Sequence, residues 1–128
     1  MINIVDIILR KDTTNSDGYF IRGLSYFYQD NLDKAIAHFQ QALRTEPEHK
    51  KSRLFFKKAK SIKTLKDQGK DAVTRGDLNK AVEFYKEALS VDLQHKLGNA
   101  KLYFNLSVVY GKVCILKHVD VKCVCDCF

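Results

Sequence analysis

The residues best suited to chemistry are four cysteines, Cys114, Cys123, Cys125 and Cys127, which all lie near the end of the 128-residue chain. The last three alternate, so on a strand they would share one face and, with Cys114 or His118, could bind zinc or copper(I). The usual zinc pairing of two separated C-x₂-C units is missing. We therefore predict a tail of reduced thiols, with no metal and no other cofactor.

The other reactive side chains form no recognisable catalytic set. None of the four histidines, His38, His49, His95 and His118, has a serine or cysteine partner at an informative spacing. The sequence contains no acid pair, no glycine-rich phosphate loop and no H-E-x-x-H motif. We predict that the chain is not an enzyme.

The chain carries a net charge of +7, because 22 lysines and arginines outnumber 15 acids. Such a balance favours acidic partners: nucleic acid, an anionic membrane surface or an acidic peptide. The basic residues are spread over most of the chain, so a solvated helical surface explains most of them. Because no recognition-helix motif and no aromatic interleaving on a sheet accompanies the charge, we predict no nucleic-acid partner.

The placement of apolar residues and cysteines indicates a reducing compartment. No apolar run approaches the roughly eighteen residues needed to cross a bilayer. The apolar start of the chain lacks a basic leader and includes Asp6, which is unlike a signal peptide. Because the cysteines are confined to one end, a disulfide-stapled secreted fold is not indicated. We predict a cytoplasmic protein with no membrane partner.

The elements that position these residues are helices, to judge from an internal repeat. One proline and six glycines leave little material for a turn-rich β-sandwich. Residues 31–43 align with residues 77–89 at an offset of forty-six. The identical pairs are Leu32/Leu78, Lys34/Lys80, Ala35/Ala81, Ala42/Ala88 and Leu43/Leu89. A repeated helical hairpin explains this self-similarity.

The repeated segment has one apolar helical face. Ala35, Phe39, Ala42 and Leu43 follow the i, i+4, i+7, i+8 spacing of a helix. Small alanines on that face let a neighbouring backbone approach closely, and the aromatic ring fills the space beyond them.

Polar residues and glycines at equivalent positions set the ends and contacts of each hairpin. Asn31 and Asp77 stand where an N-cap would accept hydrogen bonds from the first amides of the second helix. Gly23 and Gly69 fall in the preceding helix, where glycine costs about 1 kcal/mol relative to alanine. We expect a facing helix to pass close to each glycine.

This pattern resembles the tetratricopeptide repeat (TPR), a helical hairpin of 34 residues. The matching positions of the first repeat are Tyr19, Gly23, Tyr26, Ala35, Phe39, Ala42 and Pro47. Those of the second repeat are Gly69, Ala72, Ala81, Tyr85 and Ala88. Tyr103 and Tyr110 mark a third first helix, with Ser107 at the glycine position. The resemblance implies an all-α TPR helical-hairpin solenoid, a right-handed superhelix of antiparallel helix pairs.

On this basis we divide the chain into six segments. They are the end of a preceding repeat helix with its turn (1–15), a TPR (16–49), an inter-block helix extension (50–61), a TPR (62–95), the first helix of a further repeat (96–112) and a divergent cysteine-rich tail (113–128). The extension is lysine-rich, and we predict a long helix there that runs into the next repeat. Its predicted buried stripe is Leu54, Phe55, Ala59, Ile62 and Leu65.

Residues 4–112 further resemble the TPR region of DnaJ-type co-chaperones, which carry two TPR blocks before a J domain. The stretches that carry this resemblance are residues 6–15, 57–60, 66–69 and 99–105. The J domain itself has no counterpart, because the chain contains no His-Pro-Asp triplet. The resemblance implies a cytosolic co-chaperone whose TPR blocks bind the acidic C-terminal tails of the seventy- and ninety-kilodalton heat-shock chaperones.

In that family a carboxylate clamp of lysine, asparagine and arginine side chains grips the tail. Carried over to this sequence, the first clamp lysine is Lys66 and the second asparagine is Asn105. The first asparagine should follow Gly69, where this chain has Lys70. The remaining clamp positions lie beyond Lys112, where the resemblance stops. The implied peptide-binding residues are therefore Lys66, Lys70 and Asn105.

A second interpretation is a TPR scaffold fragment that associates weakly with itself. Repeat arrays need about three repeats and capped ends, whereas this chain has two repeats and half-repeats at each end. Apolar residues of the end helices, including Val5, Ile8, Leu106 and Val109, would then pack against a second copy.

Overall fold

The described part of the computed structural model covers residues 15–116, and it consists of five helices with no strand among the described residues. In chain order the helices are α1 (Ser16–Tyr28), α2 (Leu32–Thr45), α3 (Lys50–Arg75), α4 (Leu78–Val91) and α5 (Lys96–Leu116). The predicted all-α fold is confirmed. The tail cysteines Cys123, Cys125 and Cys127 and the end residues Val5 and Ile8 lie outside the described residues.

The chain divides into two compact units, with the boundary between Ser61 and Ile62 in α3. The first unit contains α1, α2 and the first part of α3. The second contains the rest of α3 together with α4 and α5. A single helix of 26 residues therefore accounts for the stretch that makes the repeat offset longer than 34 residues.

The second helix of each hairpin begins where the sequence predicted. The Asn31 side chain accepts a hydrogen bond from the Lys34 amide, and the Asp77 side chain accepts one from the Lys80 amide, both at 3.4 Å. These bonds satisfy amides that have no partner inside the helix. The turns before them are also equivalent, because Asp30 and Gly76 both have left-handed backbone, with φ of 60° and 81°.

Each predicted glycine contact is present. A Cβ atom added to Gly23 would lie 2.7 Å from the ring of Phe39, and one added to Gly69 would lie 2.6 Å from the ring of Tyr85. The aromatic ring of the second helix thus rests directly on the backbone of the first helix. Only glycine leaves room for it.

An aromatic cluster forms the core of the first unit. The ring of Phe55, from α3, lies 5.8 Å from Phe20, 5.5 Å from Phe27 and 6.0 Å from Phe39 between centroids. Such edge-on and tilted pairs are the favoured arrangements of aromatic rings. The extension of α3 therefore completes the first unit's core.

One predicted member of the buried stripe of α3 is wrong. Leu54 is 52% exposed, whereas Ser52 and Ala59 are fully buried. The buried side runs through Ser52, Phe55 and Ala59, at i, i+3 and i+7, and Leu54 stands about 100° round the helix from Phe55.

The core of the second unit joins its three helices. Its buried members are Ala72, Ala81, Tyr85, Ala88, Leu102, Leu106 and Val109. Leu106 and Val109 are therefore not exposed end residues, and that prediction is wrong. They lie on the side of α5 that packs against α4.

Candidate peptide-binding site

The two lysines assigned to the site lie on the part of α3 that belongs to the second unit. Lys66 is half-buried and Lys70 is exposed. Their spacing of four residues places them one turn apart on the same side of the helix. The exposed acids Asp67 and Asp71 follow each of them directly, so this surface carries charges of both signs.

Asn105 lies on α5, in the same unit. It is half-buried and stands next to the buried stripe, between Leu102 and Val109, which are 1% exposed each. The side chain therefore lies at the border of core and surface, where an amide can reach either side. Lys101, one turn earlier, is exposed on the same side of α5.

The common core of the second unit fixes the helices that carry these residues. Ala72 from α3 and Leu102 from α5 belong to one buried cluster with the alanines of α4. The donors at the three assigned positions are two ammonium groups and one amide, which suit carboxylate oxygens.

The other repeat positions have structural roles. Ala35, Phe39, Ala42, Ala81 and Ala88 are fully buried, and Tyr85 is 4% exposed. Burial raises the pKa of the Tyr85 hydroxyl. Tyr19 and Tyr26 are half-buried and Pro47 is exposed. The Pro47 carbonyl accepts a hydrogen bond of 2.6 Å from the Arg53 guanidinium.

Two histidines have roles that sequence reasoning missed. Nδ1 of His49 accepts a hydrogen bond from the Ser52 amide at 3.2 Å, and Nδ1 of His95 accepts one from the Gly98 amide at 2.9 Å. Each imidazole thus caps the helix that begins at the next residue. The two histidines are forty-six residues apart, the repeat offset, and this spacing was the available signal.

His49 also belongs to a serine-histidine-aspartate set. Its Nδ1 lies 2.7 Å from the Ser52 hydroxyl, and its Nε2 donates to Asp17 at 2.7 Å. Ser52 is fully buried, so its hydroxyl is out of reach of a substrate. The set ties α1 to the start of α3 and gives no nucleophile.

An apolar groove on α1 was also not predicted. It has a volume of about 350 Å³ and is lined by Ile21, Leu24, Ser25, Tyr28 and Gln29. Among residues 15–116, no group of three or more histidines, cysteines and acids could hold a metal ion. No helix in the described part of the chain is long and apolar enough to cross a membrane.

Comparison with known proteins decides the family. Two models of the tetratricopeptide-repeat family match the chain, over residues 16–49 and 73–95. The chain is a TPR protein.

The TPR chain is similar to DnaJ homolog subfamily C member 7. It is 40% identical to the Homo sapiens protein over 111 residues, which are 87% of this chain and 22% of that protein. It is 42% identical to the Mus musculus protein over 106 residues, 83% of this chain and 22% of that protein. A homologue from Dictyostelium discoideum is 33% identical over 103 residues, 80% of this chain and 19% of that protein.

The TPR chain thus spans about a fifth of the length of these relatives.

Proposed function

We propose that the second unit binds the acidic C-terminal tail of a seventy- or ninety-kilodalton heat-shock chaperone in the cytoplasm, without catalysis. The observation that carries the proposal is the placement of Lys66, Lys70 and Asn105 on the two first helices of one unit. Similarity to a DnaJ-type co-chaperone supports the choice of partner.

The chemistry of the three side chains fits a peptide terminus. A terminal carboxylate with an acidic neighbour presents several acceptor oxygens, and ammonium and amide groups donate to them. Half-buried Lys66 and Asn105 are partly shielded from water, which strengthens such bonds relative to exposed ones. Lys70 replaces the asparagine that the family resemblance implies. It adds a second positive charge but lacks the amide group of asparagine.

The expected affinity is modest. A charge-assisted hydrogen bond contributes about 1.5–3 kcal/mol. A clamp that lacks two or three such donors is therefore weaker by roughly a hundredfold or more.

Calorimetry with a peptide ending in Glu-Glu-Val-Asp tests the proposal. We expect the peptide with a free C-terminus to bind more tightly than its amidated form. Lys66→Gln and Asn105→Ala should each weaken binding of the free peptide about tenfold. The control Lys80→Gln, which removes an equal charge from exposed α4 surface, should leave it unchanged. Equal affinity for the free and amidated peptides rejects carboxylate recognition.

Weak self-association is a second candidate function, and the exposed side of α5 favours it. The large apolar residues exposed there are Leu97, Phe104, Val108 and Ile115, which share one side of the helix at i, i+7, i+11 and i+18. A contiguous apolar side of this kind often marks a contact surface. We expect light scattering at tens of micromolar to give a mass above the monomer, reduced by Phe104→Ser. A strict monomer at that concentration rejects this candidate.

A further inference from the structure

A second, separate charged surface lies in the first unit, on the opening turns of α3. Leu54 is 52% exposed there, although the opposite side of the helix is packed into the aromatic core. The residues at i−4, i−3, i+3 and i+4 from Leu54 are all lysines: Lys50, Lys51, Lys57 and Lys58. On a helix these four positions are the surface neighbours of the central residue. We call Leu54 with these four lysines the leucine-lysine patch.

The segment of α3 that carries the patch is strongly basic. Residues 50–61 include six basic residues and no acid. The first turn of α3 also has no acidic residue, although the positive end of the helix dipole favours one there. Like charges one turn apart and cations at a helix N-terminus both destabilise a helix. A bound anion relieves both effects.

The arrangement of the patch selects among anionic partners. Nucleic acid needs only the ammonium groups and leaves Leu54 in water, and the patch exposes no aromatic ring for base stacking. A membrane surface needs several apolar side chains side by side, whereas the patch has one. One apolar contact ringed by cations fits a peptide in which an apolar side chain is flanked by carboxylates.

We propose that the leucine-lysine patch docks an acidic peptide segment that carries one central apolar residue. The patch extends about 12 Å along the helix from Lys50 to Lys58, at 1.5 Å per residue. An extended peptide of five residues spans about 17 Å, so it covers the patch. The segment needs no free C-terminus, because the patch offers point charges and an apolar contact and no clamp for a terminal carboxylate.

The proposal extends the peptide-binding function but rests on different residues. Lys57 is exposed, and the Lys58 ammonium lies 5.0 Å from the ring centroid of Phe55, which places its charge beside the core of the first unit. Failure of binding at Lys66 and Asn105 would leave this proposal standing, since the probe below carries no terminal carboxylate.

The test uses the full chain and a peptide with a leucine between two pairs of glutamates, acetylated and amidated at its ends. We expect measurable binding by fluorescence anisotropy, strengthened at low ionic strength. Leu54→Ser should weaken it about fivefold, because the leucine loses its apolar contact. Lys50→Gln/Lys57→Gln should weaken it by a similar factor. The matched pair Lys34→Gln/Lys80→Gln removes the same charge from α2 and α4 and should have little effect.

Two further probes test nucleic acid and a membrane surface as alternative partners of the patch. A single-stranded oligonucleotide of equal charge and a vesicle containing anionic lipid are titrated under the same conditions. The proposal is overturned if either binds as tightly as the peptide, if Leu54→Ser leaves peptide binding unchanged, or if both lysine pairs weaken it equally. Circular dichroism of each variant confirms that the helices are intact, since Leu54, Lys50 and Lys57 are exposed and contribute little to the core.

Discussion

Replacing Gly69 by alanine should destabilise the second unit, although alanine is the better helix former. A Cβ atom at this position would lie 2.6 Å from Cε1 and 2.9 Å from Cδ1 of Tyr85. Carbon atoms pack at about 3.5–4.0 Å, so the ring must move by about 1 Å. Tyr85 is 4% exposed and packed among the alanines of α3 and α4, which leaves it little space to move.

The size of the effect follows from two opposing contributions. Overpacking a well-packed core costs about 1–3 kcal/mol. Alanine recovers about 0.5–1 kcal/mol of helix stability relative to glycine. We therefore expect Gly69→Ala to lower the free energy of unfolding by about 1–2 kcal/mol, measured by urea denaturation followed by circular dichroism.

Two variants separate this explanation from a general effect of helix glycines. Gly111 in α5 has nothing within 4 Å of an added Cβ, so Gly111→Ala should stabilise the chain. Removing the ring in Gly69→Ala/Tyr85→Leu should make the cost of the alanine much smaller than in the wild-type background. If Gly69→Ala is as stable as the wild type, or if the cost is the same with leucine at position 85, close packing is not the reason for the glycine.

Three other substitutions test separate features of the fold. Gly76→Ala should lower the free energy of unfolding by about 1 kcal/mol, measured by thermal denaturation. The φ angle of Gly76 is 81° and an added Cβ would have no atom within 4 Å, so backbone strain is the only cause of this loss. Unchanged stability would show that the turn relaxes. Phe55→Ala should cost about 3 kcal/mol by removing the ring shared by the first unit's aromatic cluster, and near-neutral stability would contradict that role. Burial raises the pKa of Tyr85, so stability should be full below about pH 10 and fall as the pH rises further, when the hydroxyl must ionise. Tyr85→Phe should abolish this fall in melts at increasing pH, and an unchanged alkaline profile would refute it.

The hairpin itself was predictable because its determinants are local. Gly23 and Gly69 sit at the same place in each repeat, and Asn31 and Asp77 at another. Each glycine has an aromatic partner sixteen residues later, and the polar residue between the two caps the second helix. These local features fix a close pair of helices independently of the rest of the chain.

The side of a helix that becomes buried was harder to predict where the helix has several neighbours. In α3, Leu54 and Phe55 are both apolar, and only the aromatic cluster of the first unit decides that Phe55 turns inward. In α5, Leu106 and Val109 are buried while Phe104 and Val108 are exposed. The helix is apolar on several sides, so its sequence pattern does not identify the side that packs.

Sequence alone determined the all-α repeat, the starts of the second helices and the glycine contacts, because each depends on residues close together in the chain. Tertiary structure decided which lysines share a surface, that His49 caps α3 while bonding to Asp17, and that Leu54 faces outward. These features depend on side chains from different helices, and their positions follow from how the cores of the two units fill with rings and alanines. Burial is a property of that packing and not of any one residue.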